Sequence, residues 1–181
     1  MWIGFQHILP KGLDHILFVV GLFLLSTSLS VLLWQITSFT LAHSVTLALG
    51  MLGWVQVSAA IVEPLIAASI VYVCLENVFS DHLSRWRPLV IFCFGLLHGL
   101  GFASVLHEIG LQSDDFALGL IAFNVGVELG QLSIILLCFL AVGWWFGHRS
   151  WYRSVITIPA SLVIAGIGTY WFLERVGVLG V

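Results

Sequence analysis

FALGLIAFNVGVELGQLSIILLCFLAVGWWF, residues Phe116–Phe146, stays apolar for longer than one membrane crossing requires, yet carries Asn124, Glu128 and Gln131. About 20 apolar residues in a helix cover the hydrocarbon core. A longer run reads as a spanning helix that is tilted or that projects beyond the bilayer. Its three polar residues are spaced i, i+4 and i+7, so they form one stripe on one helical face. Gly126 and Gly130 fall on another face and offer a GxxxG contact to a neighbouring helix.

The rest of the chain is built the same way. Of 181 residues, 60% are hydrophobic and only 8% charged; the mean hydropathy is +1.11. Soluble domains average roughly 25% charged and under 50% apolar residues, and a domain this small could not bury so much apolar surface. The bilayer must be the solvent. Six stretches are long and apolar enough to span: about Gly12–Leu32, Gln35–Gly53, Ala59–Phe79, Pro88–Leu106, Phe116–Phe146 and Ser154–Leu173. The expected fold is therefore all-α, a polytopic bundle of about six transmembrane helices forming a single domain over residues 1–181.

Charge placement predicts the orientation. Arg85, Arg87, Arg149 and Arg153 lie on one side of this bundle, Lys11 and Arg175 on the other with Glu108, Asp114 and Asp115. The positive-inside rule makes the four-arginine face cytoplasmic and puts both termini outside. Trp2, Trp34, Trp54, Trp86, Trp151 and Trp171, at or near span ends, fit interfacial anchoring. A net charge of −3 with six Lys plus Arg leaves no basic patch for nucleic acid. Cys74, Cys93 and Cys138 sit in apolar runs without CxxC spacing and read as small core residues. Polar residues come too early in Met1–Asp14 for a signal peptide.

Ionisable groups inside a span cost several kcal/mol unless paired or wet, which makes each a site hypothesis. The first span opens with Asp14-His15, seven residues after His7. The second carries His43, the third Glu63 and Glu76-Asn77, the fourth His98 between Gly95 and Gly99, and the fifth the Asn124–Glu128–Gln131 stripe. Asp14, His15, His43, His98 and Glu128 are the expected metal ligands, converging in the outer half of the bundle. His7, Ser44, Glu76, Asn77, Asn124 and Gln131 are expected beside the site or along the path through it. Imidazole and carboxylate together suit nickel, cobalt, zinc or copper over calcium or magnesium, and Asp14 or Glu128 could fix a ligand histidine's tautomer. Plainer readings exist. A membrane histidine can simply hydrogen-bond a neighbouring helix; Glu63, before Pro64, reads as interfacial; Glu76-Asn77 fits a helix cap or an inner gate; His82, His107 and His148 read as solvated loop residues.

Several of these segments resemble the HupE/UreJ family of bacterial membrane proteins. They are Gly12-Leu13-Asp14-His15-Ile16-Leu17-Phe18, Phe39-Thr40-Leu41-Ala42-His43-Ser44-Val45-Thr46-Leu47, Phe94-Gly95-Leu96-Leu97-His98-Gly99-Leu100-Gly101-Phe102-Ala103 and Phe123-Asn124-Val125-Gly126-Val127-Glu128-Leu129-Gly130-Gln131. Glu76-Asn77 after Ile66–Tyr72 matches as well. The resemblance covers the first five spans and is to the second, less studied branch. It implies a multi-pass protein of the bacterial inner membrane and a nickel or cobalt permease. The family's histidine–aspartate–histidine motif implies metal at His7, Asp14 and His15, although this chain has six residues between His7 and Asp14 where five are expected.

The leading expectation is a permease or binding protein for a divalent transition metal, nickel or cobalt first. Its partners are the lipid bilayer and the metal ion; no nucleotide-binding loop is present, and a homo-oligomer is left open. The alternative is an intramembrane zinc-dependent hydrolase with three histidine ligands and Asp14 or Glu128 as base. A third reading is an accessory subunit whose polar residues only join helices.

Overall fold

A computed structural model of the chain describes residues 1–109 and 116–179, and side chains outside 103–109. Among these residues the regular structure is helical: α1 Trp2–Ile8, α2 Leu13–Leu25, α3 Leu29–Met51, α4 Ala59–Phe79 and α5 Arg87–Ile109. Two further helices follow, α6 Phe116–Phe146 and α7 Arg153–Arg175. α6 passes through a π-helical segment at Phe139–Gly143, and α7 opens with another at Arg153–Thr157. α3, α4, α6 and α7 are each long and apolar enough to cross a membrane; α1 and α2, bent by 70° at the break between them, make a fifth if counted together. The chain is a multi-pass membrane protein.

Two boundaries differ from the sequence expectation. The stretch expected to span Gly12–Leu32 ends as a helix at Leu25, and Leu29–Leu32 opens the next helix instead of Gln35. Ser26-Thr27-Ser28 makes the break: Ser26 is extended and its hydroxyl accepts from the Ser28 amide at 3.3 Å. Short hydroxyl side chains offer the backbone this local alternative to helix, and a hydropathy window reads straight through them. The second difference is α1. Seven residues followed by Pro10-Lys11-Gly12 are too short to register as a span, yet they form a helix.

Glycines decide which helices touch. α1 packs on α6, where a Cβ at Gly126 would strike the Met1 carbonyl and one at Gly130 would lie 2.7 Å from Ile8 Cβ. The GxxxG face expected from sequence thus receives the short N-terminal helix. α3 packs on α5 at Gly95 and Gly99, whose Cβ atoms would meet the carbonyls of Phe39 and His43. α4 packs on α7, and α2 threads between α4 and α6. Phe18, Leu22, Phe23, Ile36, Phe39 and Ile70 fill the centre.

The arginines sort by end. Arg87, at the start of α5, pairs with Glu76 of α4. Arg153, at the start of α7, donates to the carbonyls of Val78 and Ser80 at 2.9 and 3.1 Å and so closes the C-terminal end of α4. At the opposite end of α4, Arg175 donates to the Glu63 carbonyl at 2.9 Å. Trp2, Trp34, Trp54 and Trp86 are exposed, as interfacial anchors would be. Asp114 and Asp115, and the side chains of His107 and Glu108, lie outside the described residues.

Candidate metal centre

Four helices and the α1–α2 break bring histidines to one place. The break carries the chain from His7, in the last turn of α1, to Asp14-His15 in the first turn of α2. α3 and α5, held close by Gly95 and Gly99, supply His43 and His98. The rings of His7 and His15 lie 4.8 Å apart, His15 and His98 4.9 Å, His15 and His43 6.0 Å, and His7 and His43 6.1 Å. With metal–nitrogen bonds near 2.1 Å, rings sharing one ion have centres roughly 4.5–6 Å apart. Ligand atoms of His7, His15 and His43 all fall within 4.8 Å of one another, as do those of Asp14, His15 and His98. His15 belongs to both groups.

The hydrogen bonding leaves nitrogens free. Asp14 Oδ1 receives the His15 backbone N–H at 2.8 Å and faces His15 Nδ1 at 3.0 Å. That carboxylate holds a proton on Nδ1 and leaves the lone pair on Nε2. His7 Nε2, His15 Nε2, both nitrogens of His43 and His98 Nδ1 are buried without a hydrogen-bond partner among the described residues. Buried polar atoms are ordinarily paired. A cluster of unpaired imidazole nitrogens within bonding reach of a common point is what a nitrogen-preferring dication would satisfy.

The cluster opens toward the Arg175 end. His7, Asp14, His15 and His98 line a cavity of about 190 Å³ with Glu63, Gly101 and Arg175. At about 30 Å³ per water, that is room for an ion with a first hydration shell. A second cavity of about 370 Å³, lined by Gln6, Lys11 and Gly12, shares His7, Asp14 and Phe102 with it.

Other residues singled out from the sequence are engaged differently. The α6 stripe does face α3, but through hydroxyls: Thr37 donates to Glu128 Oε1 at 2.6 Å and Thr40 to Gln131 Oε1 at 3.0 Å. Asn124 donates to the Leu120 carbonyl, and Ser44 to the Thr40 carbonyl. Glu76 is held by Arg87, and Asn77 bonds the Gly21 carbonyl and Ser161 Oγ. The groups close enough to share an ion do not include Glu128, Glu76 or Asn77. Glu63 is exposed at the cavity mouth. His82 and His148 are exposed, and the three cysteines are free, with Cys74 buried. Ser69 was not legible as a site residue: its hydroxyl lies 3.0 Å from His98 Nε2.

A family model described as HupE / UreJ protein matches residues 1–175 of the chain. No curated protein and no solved structure matches it.

Proposed function

The chain belongs to the HupE/UreJ family, associated with nickel and cobalt transport, and on that premise we propose that it is a permease or binding protein for a divalent transition metal, nickel or cobalt first and zinc or copper after them. The unpaired, buried nitrogens of His7, His15, His43 and His98, gathered in two ligand groups that share His15, carry this reading. In it, the ion enters through the cavity beside Glu63, is taken by Asp14 and His15, and is held with His43 and His98. His7 joins these ligands; Glu128, Asn124 and Gln131 are kept as the polar stripe beside the path. The protein spans the bacterial inner membrane six times, with α1–α2 as one broken span and α5 as the sixth. Both termini face outward and the Arg87–Arg153 end is cytoplasmic. Broken spans at transporter binding sites are a recurring design, since they expose groups at membrane depth.

A dication moving inward gains roughly 4.6 kcal/mol at 100 mV, from about 2.3 kcal/mol per charge. Cells expressing the protein should accumulate nickel or cobalt above vector controls, and collapse of the membrane potential should reduce the gain. If none of nickel, cobalt, zinc or copper accumulates, transport is refuted.

A further inference from the structure

We infer that Ser69 is a positioning residue that fixes which nitrogen of His98 faces the metal site. This rests on the proposed metal-binding role of the cluster, but its structural half stands alone. Ser69, on α4, is buried, and its hydroxyl meets the Nε2 end of the His98 ring. Its hydroxyl is 2.7 Å from the Ile66 carbonyl of its own helix and 3.0 Å from His98 Nε2.

A hydroxyl has one proton to donate. Ser69 can donate to the Ile66 carbonyl while accepting from a His98 Nε2–H, or donate to a bare Nε2; only the first makes both contacts hydrogen bonds, so the Ser69 proton goes to Ile66. Ser69 Oγ is then an acceptor toward His98, and the His98 proton must be on Nε2, donating to Oγ. That leaves the lone pair on Nδ1, which is buried and has no partner among the described residues. The opposite tautomer would draw the Ser69 proton onto Nε2, keep one of the two hydrogen bonds and bury an unpaired N–H at Nδ1. A buried donor left without a partner is costly, because it gives up its hydrogen bonds to water and gains none. A metal ligand nitrogen must be unprotonated, so the tautomer set by Ser69 is the one that can bind.

The two ligand histidines are therefore fixed in opposite senses. Asp14 holds the proton of His15 on Nδ1, so His15 offers Nε2; Ser69 holds the proton of His98 on Nε2, so His98 offers Nδ1. This division lets residues from two helices present lone pairs to one point. Sequence could not reveal it, because a serine within a helix usually answers its own hydroxyl on a carbonyl three or four residues back.

The test is two-bond ¹H–¹⁵N correlation on ¹⁵N-histidine-labelled, metal-free protein in micelles, with His98 assigned by its loss in His98→Gln. A single Nε2–H tautomer for His98 is expected in the wild type. Ser69→Ala should turn it into a mixture and weaken nickel or cobalt binding by about 10–100-fold, the usual effect of losing such a partner. Ser69→Thr, which keeps the hydroxyl, should restore both. An Nδ1–H tautomer in the wild type overturns the inference, whether or not Ser69→Ala folds. So does a Ser69→Ala protein with unchanged tautomer and affinity. Absence of metal binding by the wild type would refute the proposed function while leaving the tautomer result intact.

Discussion

Replacing His15 by alanine should cost the protein more metal affinity than any other single substitution at the cluster. His15 is the member common to both ligand groups, His7–His15–His43 and Asp14–His15–His98. Its Nε2 is buried and unpaired, and its ring is centred within 4.8–6.0 Å of those of the other three histidines. Loss of a residue that only orients a ligand typically costs 10–100-fold in affinity, so loss of the shared ligand should exceed about 100-fold. His7→Ala and His98→Ala each break one group and leave the other, and should fall short of that. Asp14→Asn keeps the volume but weakens the hold on His15 Nδ1, and belongs in the 10–100-fold range. Titration of purified variants against a chromophoric chelator ranks them. Equal, small effects at all four positions would mean that the histidines do not act as one site.

The second large effect lies at the other end of the bundle and is one of stability. The Arg87 side chain is 1% exposed and Glu76 14%. Arg87→Ala strands the Glu76 carboxylate in a poorly solvated place, and breaking a buried pair from one side costs about 3–5 kcal/mol. Much of that is the penalty of the orphaned charge, so Glu76→Gln combined with Arg87→Met should recover most of the loss. Unfolding in mild detergent, read by the midpoint in the three proteins, checks this. A stable Arg87→Ala protein would show that water or lipid headgroups reach Glu76 freely. Metal affinity of the folded fraction should be unchanged, because neither residue is within reach of the histidine cluster.

The expensive residues were legible from the sequence; their partners were not. His15, His43 and His98 stand out because an imidazole within an apolar run has no cheap explanation, and the structure does bring them together. The GxxxG faces at Gly126–Gly130 and Gly95–Gly99 announced close approach, and both are close approaches. Periodicity names a face, however, and not the neighbour it meets. Within the Asn124–Glu128–Gln131 stripe, Glu128 is the expected ligand and the two amides its neighbours, yet the glutamate and glutamine meet threonines of α3. Those threonines, like Ser69, are cheap in a membrane helix and leave no hydropathy signal. His7 precedes the first long apolar run, which in the sequence puts it beside the ligands and not among them. The 70° turn after α1 returns it to within 4.8 Å of the His15 ring, and a window-based reading cannot anticipate a turn so sharp.

X-ray absorption on nickel- or cobalt-loaded protein puts the shared site to the most direct test, since outer-shell scattering from imidazole rings counts histidine ligands. At least three imidazole nitrogens near 2.1 Å are expected, with one lost in His43→Ala. A spectrum with oxygen ligands only, or a protein that retains no metal at all, would contradict the convergence of these four helices on a common ion.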